Sequence, residues 1–227
     1  MTAETLVPAP PAPLLTPPGV YIPQWDTELL TRALYREEIS PSTAVLDLGT
    51  GSGAIALQAA RLGARVTAVD ISWLAVLTTR VNALLAGHRI RVRHGDLTTA
   101  VAGDSYDLVV SNPPYVPAPA ARLPHRGRAR AWDAGRDGRT FVDRICDAAP
   151  RLLRSHGALL IVHSGLCGTG ATLRRLADAG LRAEVVDRAV VPYGPVLRSR
   201  QSWLVRVGLA DEGESREELV VIRAEQS

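Results

Sequence analysis

Apolar positions along this chain fall into short, almost unbroken runs set between longer stretches with helical spacing. Val45–Leu48, Arg65–Asp70, Arg91–Leu97, Tyr106–Ser111, Ala158–Ser164, Ala183–Asp187 and Glu218–Ala224 read as strands. The run at 158–164 is apolar enough to be covered on both faces, as strands of parallel sheets are. Between them lie helical patterns. One begins at Asp26, which can cap it, and runs through Arg36 with Leu29, Leu30, Ala33 and Leu34 on its inner face. Others follow at 54–62, from Ser72 to about Leu85, from Thr140 to Leu153 with Phe141, Ile145, Ala148 and Leu152 in register, and again up to Gly180. Alternation of this kind predicts an α/β fold: a seven-stranded, mostly parallel sheet with helices on both faces. Residues 1–18 carry six prolines and little else of character, so a disordered or extended tail is expected there, with one domain over 19–227.

Several of these strands end in an acid. Asp47 closes the first, and Gly49-Thr50-Gly51-Ser52-Gly53 follows before an alanine-rich helix. Glycines at 49, 51 and 53 permit positive φ and close ligand approach, and the amides opening the helix attract negative charge. The spacing is G-x-G-x-G, and a plain turn would also produce it. Asp70 stands 17 residues beyond Gly53 at the end of the second strand, where an acid can bind ribose hydroxyls. Asp96 lies just past the third strand with Leu97 beside it, and the fourth runs into Asn112-Pro113-Pro114-Tyr115. The prolines stiffen that turn and hold Asn112 extended. Two acceptors result, the Asn112 side-chain oxygen and the Pro113 carbonyl, which together can grip the two hydrogens of an –NH2 group. Tyr115 can pack on the plane that bears it.

In this order the motifs resemble the class I S-adenosylmethionine (SAM) methyltransferases, with their Rossmann-like fold, and among them the HemK type, which methylates glutamine side chains of translation release factors. The resemblance covers residues 19 to 225. Tyr21-x-Pro23-x-x-Asp26-Thr27-x-Leu29-Leu30 resembles the opening of the compact archaeal and eukaryotic branch, and implies that Tyr21, Asp26 and Thr27 close over the methionine end of SAM. Asp47 and Gly49, Gly51 and Gly53 would hold the methionyl part, Asp70 the ribose, Asp96 with Leu97 the adenine, and Ile71 or Trp73 one face of that base. The product would be S-adenosylhomocysteine. Asn112, Pro113 and Tyr115 would present the acceptor nitrogen. Trp132-Asp133-Ala134-Gly135-Arg136-Asp137-Gly138 resembles the family's (Trp/Phe)-x-Gly-Gly-x-x-Gly segment, with Ala134 in place of the first glycine. Members of the compact branch work with a small zinc-binding activator subunit, so such a partner is implied. Bacterial relatives carry an N-terminal helical docking domain, and here only about 20 residues precede the opening motif. A small-molecule N-methyltransferase and an adenine-N6 DNA methyltransferase share the –NH2 chemistry. The latter normally needs a region that flips the base, for which little length is left.

Composition narrows this further. No apolar run approaches the roughly 20 residues of a membrane-spanning helix, so no membrane contact is expected. Residues 1–18 have neither the charge nor the apolar segment of a signal peptide. Cys146 and Cys167 lack metal spacing and read as inert buried thiols of a cytoplasmic protein, and no metal site is expected. All 26 basic residues are arginine. Arg122, Arg126, Arg128, Arg130, Arg136 and Arg139 crowd the aperiodic loop after Tyr115, either as a solvated loop or as a surface for an acidic protein or nucleic acid. His163, at the end of the fifth strand, reads as a structural histidine.

Overall fold

The computed structural model describes residues 14–120, 122–124 and 127–226. Seven strands form one sheet: β1 (Ala44–Leu48), β2 (Arg65–Asp70), β3 (Ile90–His94), β4 (Tyr106–Ser111), β5 (Leu153–Ser164), β6 (Arg182–Pro192) and β7 (Arg216–Glu225). Their order is β3-β2-β1-β4-β5-β7-β6. All neighbours are parallel except β7, which runs antiparallel to both β5 and β6. Because β7 is reversed, its first residues lie at the edge where the other strands end.

Helices α1 (Trp25–Leu34), α2 (Ala54–Arg61), α3 (Trp73–Leu85), α4 (Thr140–Leu152), α5 (Thr169–Asp178) and α6 (Pro195–Arg206) complete the chain. Alternation within each strand divides the core in two. Leu46, Leu48, Val109, Leu159 and Ile161 face α4 and α5, meeting Val142, Ile145, Ala149 and Leu176. Val45, Val66, Leu108, Leu160 and Val162 face the opposite side, against Leu29, Leu30, Leu34, Ile55 and Val76 of α1, α2 and α3. Every residue of β1 is buried, as a central parallel strand covered on both faces must be.

The seven strands and five of the six helices agree with the sequence pattern and differ at their ends, while α6 is not among the expected helices. Asp26 does not cap α1: the cap position is Gln24, and Asp26 sits in the first turn. Strand β6 is about twice the expected length, because it pairs along β7. Helix α6 lacks a periodic apolar stripe of its own. Its signals are Pro195 at the first turn and the buried pair Leu197 and Leu204, which pack on Tyr193. Residues 1–13 of the proline-rich tail lie outside the described residues. The end of that stretch is anchored, since the Leu15 backbone exchanges two hydrogen bonds with the Asn82 side chain of α3, at 2.9 and 3.0 Å.

Candidate active site

A cleft of about 770 Å³ opens at the carboxyl ends of β1, β2 and β4. Its floor is the turn after β1. Gly49, Gly51 and Gly53 all have positive φ, and Gly53 shows why glycine is needed: at φ +84° a Cβ would stand 2.9 Å from Thr79 Cγ2. Two carboxylates brace the turn. Asp47 Oδ2 accepts from Thr50 Oγ1 at 2.7 Å and from the Ala56 amide at 3.1 Å. Asp70 spans the gap between strands, with Oδ2 accepting from the Gly51 amide at 3.0 Å and Oδ1 from the Ser72 amide at 2.8 Å. Burial pushes the Asp47 carboxyl up to about 7, against those two hydrogen bonds. It pushes Asp70 upward too, opposed by its two backbone amides.

Both acids therefore hold the turn before they hold any ligand. Each Asp70 oxygen carries one protein donor, which leaves lone pairs for the hydroxyls of a sugar. Gly49, where a Cβ would meet nothing within 4 Å, leaves the backbone bare for an amino-acid head. Ile71, Leu74 and Leu97 give the cleft apolar walls. Trp73 departs from expectation. It is exposed and stacks on His94, ring centroids 4.0 Å apart, so of the two candidates for covering an aromatic ligand only Ile71 reaches the cleft. Asp96 lines the cleft and is paired with Arg144 at 2.8 Å, a partner on α4 that the sequence did not suggest.

Opposite the turn stands Asn112, in a hydrogen-bonded chain. Its Nδ2 donates to Thr27 Oγ1 at 3.3 Å, and Thr27 Oγ1 donates to Asp26 Oδ1 at 3.2 Å. Asp26 Oδ1 also takes the Thr27 amide at 2.6 Å, and Oδ2 takes the hydroxyls of Tyr21 at 2.6 Å and Tyr115 at 2.9 Å. The direction of this chain follows from donor arithmetic. A carboxylate only accepts, so Thr27 spends its proton on Asp26 and is left an acceptor for Asn112. The Asn112 amide must then turn its NH2 toward Thr27 and its oxygen away. Burial, and next the Asp26 charge, push both phenols well above their usual range, so Tyr21 and Tyr115 remain O–H donors.

The segment after Asn112 is fixed from two sides. A bridge joins Val116 to Asp133, and Arg200 of α6 clamps the two by bonding Pro117 O at 2.9 Å and Asp133 Oδ1 at 2.6 Å. Gly138, at φ +72°, lies so close to the Tyr115 carbonyl and Cys167 Sγ that a Cβ would collide with both. Ala134 is fully buried and is not among the positive-φ residues, so its backbone conformation does not call for glycine. The arginine-rich loop splits in its roles. Arg128 and Arg130 line the cleft, while Arg139 is structural, bonded to Asp143, Thr172 and the Cys167 carbonyl. Arg126 lies outside the described residues. Cys146 and Cys167 are buried free thiols. His163 is buried and neutral, one nitrogen bonded to Ser164 O at 2.8 Å and burial pushing it down to about 4.

Comparison with known proteins agrees with this geometry. The family profile "Methyltransferase small domain" matches residues 13–125. A putative protein N5-glutamine methyltransferase of Methanocaldococcus jannaschii is 33% identical over 78% of this chain and 88% of its own length. The release factor glutamine methyltransferase of Bordetella pertussis is 42% identical over 73% of the chain and 64% of its own length, so the chain spans less than two thirds of that bacterial relative. Among solved structures, a chain of the E. cuniculi Mtq2-Trm112 complex, described as responsible for methylation of the eRF1 translation termination factor, superposes with a TM-score of 0.64 at 26% identity, covering 92% of this chain and 99% of that one. No helix among the described residues is long and apolar enough to cross a membrane. With its sheet order, its glycine turn and its Asn-Pro-Pro-Tyr corner all in place, the chain belongs to the glutamine methyltransferase family of class I methyltransferases.

Proposed function

We propose that this chain transfers a methyl group from SAM to the side-chain amide nitrogen of a glutamine in a translation release factor. What carries the reading is the orientation of Asn112: its NH2 is committed to Thr27, so its oxygen is the atom offered to a substrate. That oxygen and the Pro113 carbonyl accept the two hydrogens of the glutamine amide. Accepting both favours a pyramidal nitrogen and directs its lone pair across the cleft, which is alignment catalysis. Tyr115, tethered to Asp26, forms the wall against which the planar amide lies.

The residues of the main cleft fit SAM. Asp70 retains acceptors for the ribose, Ile71, Leu74 and Leu97 flank an adenine, and the turn over 49–53 exposes backbone to the methionyl end. Bound SAM supplies a methyl group already activated by its sulfonium. The protein's work is to bind, orient and exclude water; the nitrogen, once methylated, sheds its proton without a strong base. Tyr21, Asp26 and Thr27 shape this end of the cleft by holding Asn112 and Tyr115, besides any contact with the methionyl group.

A small zinc-binding activator subunit belongs to the proposal, by likeness to the Mtq2-Trm112 complex. The exposed Trp73, Leu77, Leu84 and Leu85 on α3, next to the edge strand β3, give such a partner apolar surface to cover. Nucleic-acid contact through Arg128 and Arg130 is the secondary reading of the arginine-rich loop.

The test is methyl transfer from labelled SAM to purified release factor, with the modified residue identified by mass spectrometry. Asn112→Ala abolishes transfer while SAM still binds in calorimetry, and turnover retained in that variant refutes the assignment. Asp70→Ala weakens SAM binding by about tenfold or more, since it removes a ribose acceptor and loosens the Gly51 turn. Unchanged affinity would exclude the ribose role.

A further inference from the structure

Helix α3 turns two buried polar side chains toward the glycine turn. Thr79 and Asn82 stand three residues apart and so share one face of the helix. Thr79 is fully buried and Asn82 is 3% exposed. Thr79 Oγ1 donates to the Gly51 carbonyl at 3.1 Å, and Asn82 Nδ2 donates to the Ser52 carbonyl at 2.8 Å. Two consecutive carbonyls of the turn are thereby drawn toward α3. In a trans peptide the N–H points opposite to its C=O, so the Ser52 and Gly53 amides are turned away from the helix. The Gly53 amide then meets Thr50 O at 2.8 Å, and Ser52 lies in the wall of the cleft.

Asn82 also grips a second segment. Its Oδ1 accepts the Leu15 amide at 2.9 Å, and its Nδ2 donates to the Leu15 carbonyl at 3.0 Å, a pairing like one rung of a β-ladder. A side-chain amide has two N–H donors. Here one goes to the glycine turn and the other to residue 15, so both are spent. From Leu15 the chain runs straight to the cleft. Val20 N bonds Pro17 O at 3.0 Å to close a turn, and Pro18, Gly19 and Val20 form the rim. Gly19 lies close over α3, where a Cβ would stand 3.6 Å from Leu74 Cδ2. The next residue, Tyr21, bonds Asp26 at 2.6 Å. Residues 14–20 therefore make a strap held by Asn82 at one end and by Asp26 at the other, with the rim of the cleft between.

We infer that Asn82 is a positioning residue for the cofactor: one side-chain amide locks this strap to the turn over 49–53, and the strap so held retains SAM. The inference rests on the SAM reading of the main cleft. Asn82 is not itself part of the cleft wall; it acts through the Ser52 carbonyl and the Leu15 backbone. Its loss frees the rim and the turn together, whereas Asn112 keeps a separate tether through Thr27 to Asp26. Cofactor retention and methyl transfer are thus separable, the first falling while the second is kept. A residue that only held the fold together would lower Tm and leave the SAM affinity of the folded chain as it was.

The experiment has two arms, both with the full chain. Leu15→Pro deletes the Leu15 N–H at a site 50% exposed, clear of the core, and Leu15→Ala, which keeps that N–H, is the reference. Labelled SAM, chased with excess S-adenosylhomocysteine, leaves Leu15→Pro about tenfold faster than Leu15→Ala. Asn82→Leu raises KM for SAM about tenfold, the equivalent of 1.4 kcal/mol, with kcat toward release factor held within about threefold. Adding Leu15→Pro to Asn82→Leu changes little more, because both cut the same link. Equal dissociation from the two residue-15 variants, additive losses, or a fall in kcat matching the rise in KM overturns the inference. The second arm needs no cofactor. In the SAM-free chain Leu15→Pro shifts the backbone amide resonance of Gly53, whose peptide Asn82 holds, and the shift vanishes in the Asn82→Leu background. An unmoved Gly53 resonance also overturns it. Coupling between these sites in a chain that binds no SAM supports the clamp and refutes the cofactor reading of the main cleft instead.

Discussion

Glu217→Gln should stabilise the folded protein at alkaline pH and change it little in acid. The unfolded chain ionises Glu217 at the ordinary value of 4.5, whereas burial holds the folded group protonated up to about 7. Between those values the native state binds the extra proton, so wild-type stability falls as pH rises through that window and levels off above it. The gap converts to about 3 kcal/mol. Glutamine has the same shape and no charge to desolvate, so the variant loses this component of the slope. Asp47, also pushed up to about 7, contributes the same slope to both proteins and drops out of the difference. Urea denaturation of both proteins at pH 4, 6 and 8 measures the effect directly. The stability difference should grow by about 3 kcal/mol from pH 4 to pH 8, or roughly 6–12 °C in Tm for a chain of this size. Parallel pH curves would show that Glu217 is solvated or paired in solution, and would remove the physical basis for a costly buried carboxylate beside the cleft.

Thr27→Val removes the acceptor that orients Asn112 while keeping the side-chain volume. Transfer should fall about 10- to 100-fold with SAM affinity unchanged, Thr27→Ser should restore it, and the side-chain NH2 resonances of Asn112 should move in the valine variant. A loss of SAM binding equal to the loss of turnover would instead assign Thr27 to the cofactor. Gly138→Ala places a Cβ against the Tyr115 carbonyl at positive φ, so it should cost about 1–3 kcal/mol by thermal denaturation and lower activity through Tyr115; unchanged Tm and turnover would show that the segment yields easily.

Much of this architecture is written locally. Strands such as Val45–Leu48 are apolar on both faces because helices cover both, and Asp47, Asp70 and Asp96 are displayed at or just past the ends of the first three strands by the same geometry that ends each strand. Asn112 and its prolines are legible because backbone restriction is a property of the residues themselves. What could not be read depends on partners far along the chain. Arg144 finds Asp96 across 48 residues, and Arg200 reaches Asp133 across 67. Glu217 looks like one of several acids in Glu214–Glu218, and only the reversal of β7 carries it to the site. Trp73, which follows Asp70 closely, reads in the sequence as an alternative to Ile71 beside a nucleobase or as a core residue, yet α3 begins there and turns the ring outward onto His94.

The reversed last strand also decides which end of the polypeptide tolerates engineering. Gln226 is bonded to Gly157 O at 3.1 Å, at the margin of the sheet remote from the catalytic opening. Pro18, Gly19 and Val20, by contrast, form part of the rim of that opening. An affinity handle or a fluorescent fusion joined past residue 226 should therefore hang clear of the cleft, whereas tethering the stretch around residues 18–20 should crowd its rim.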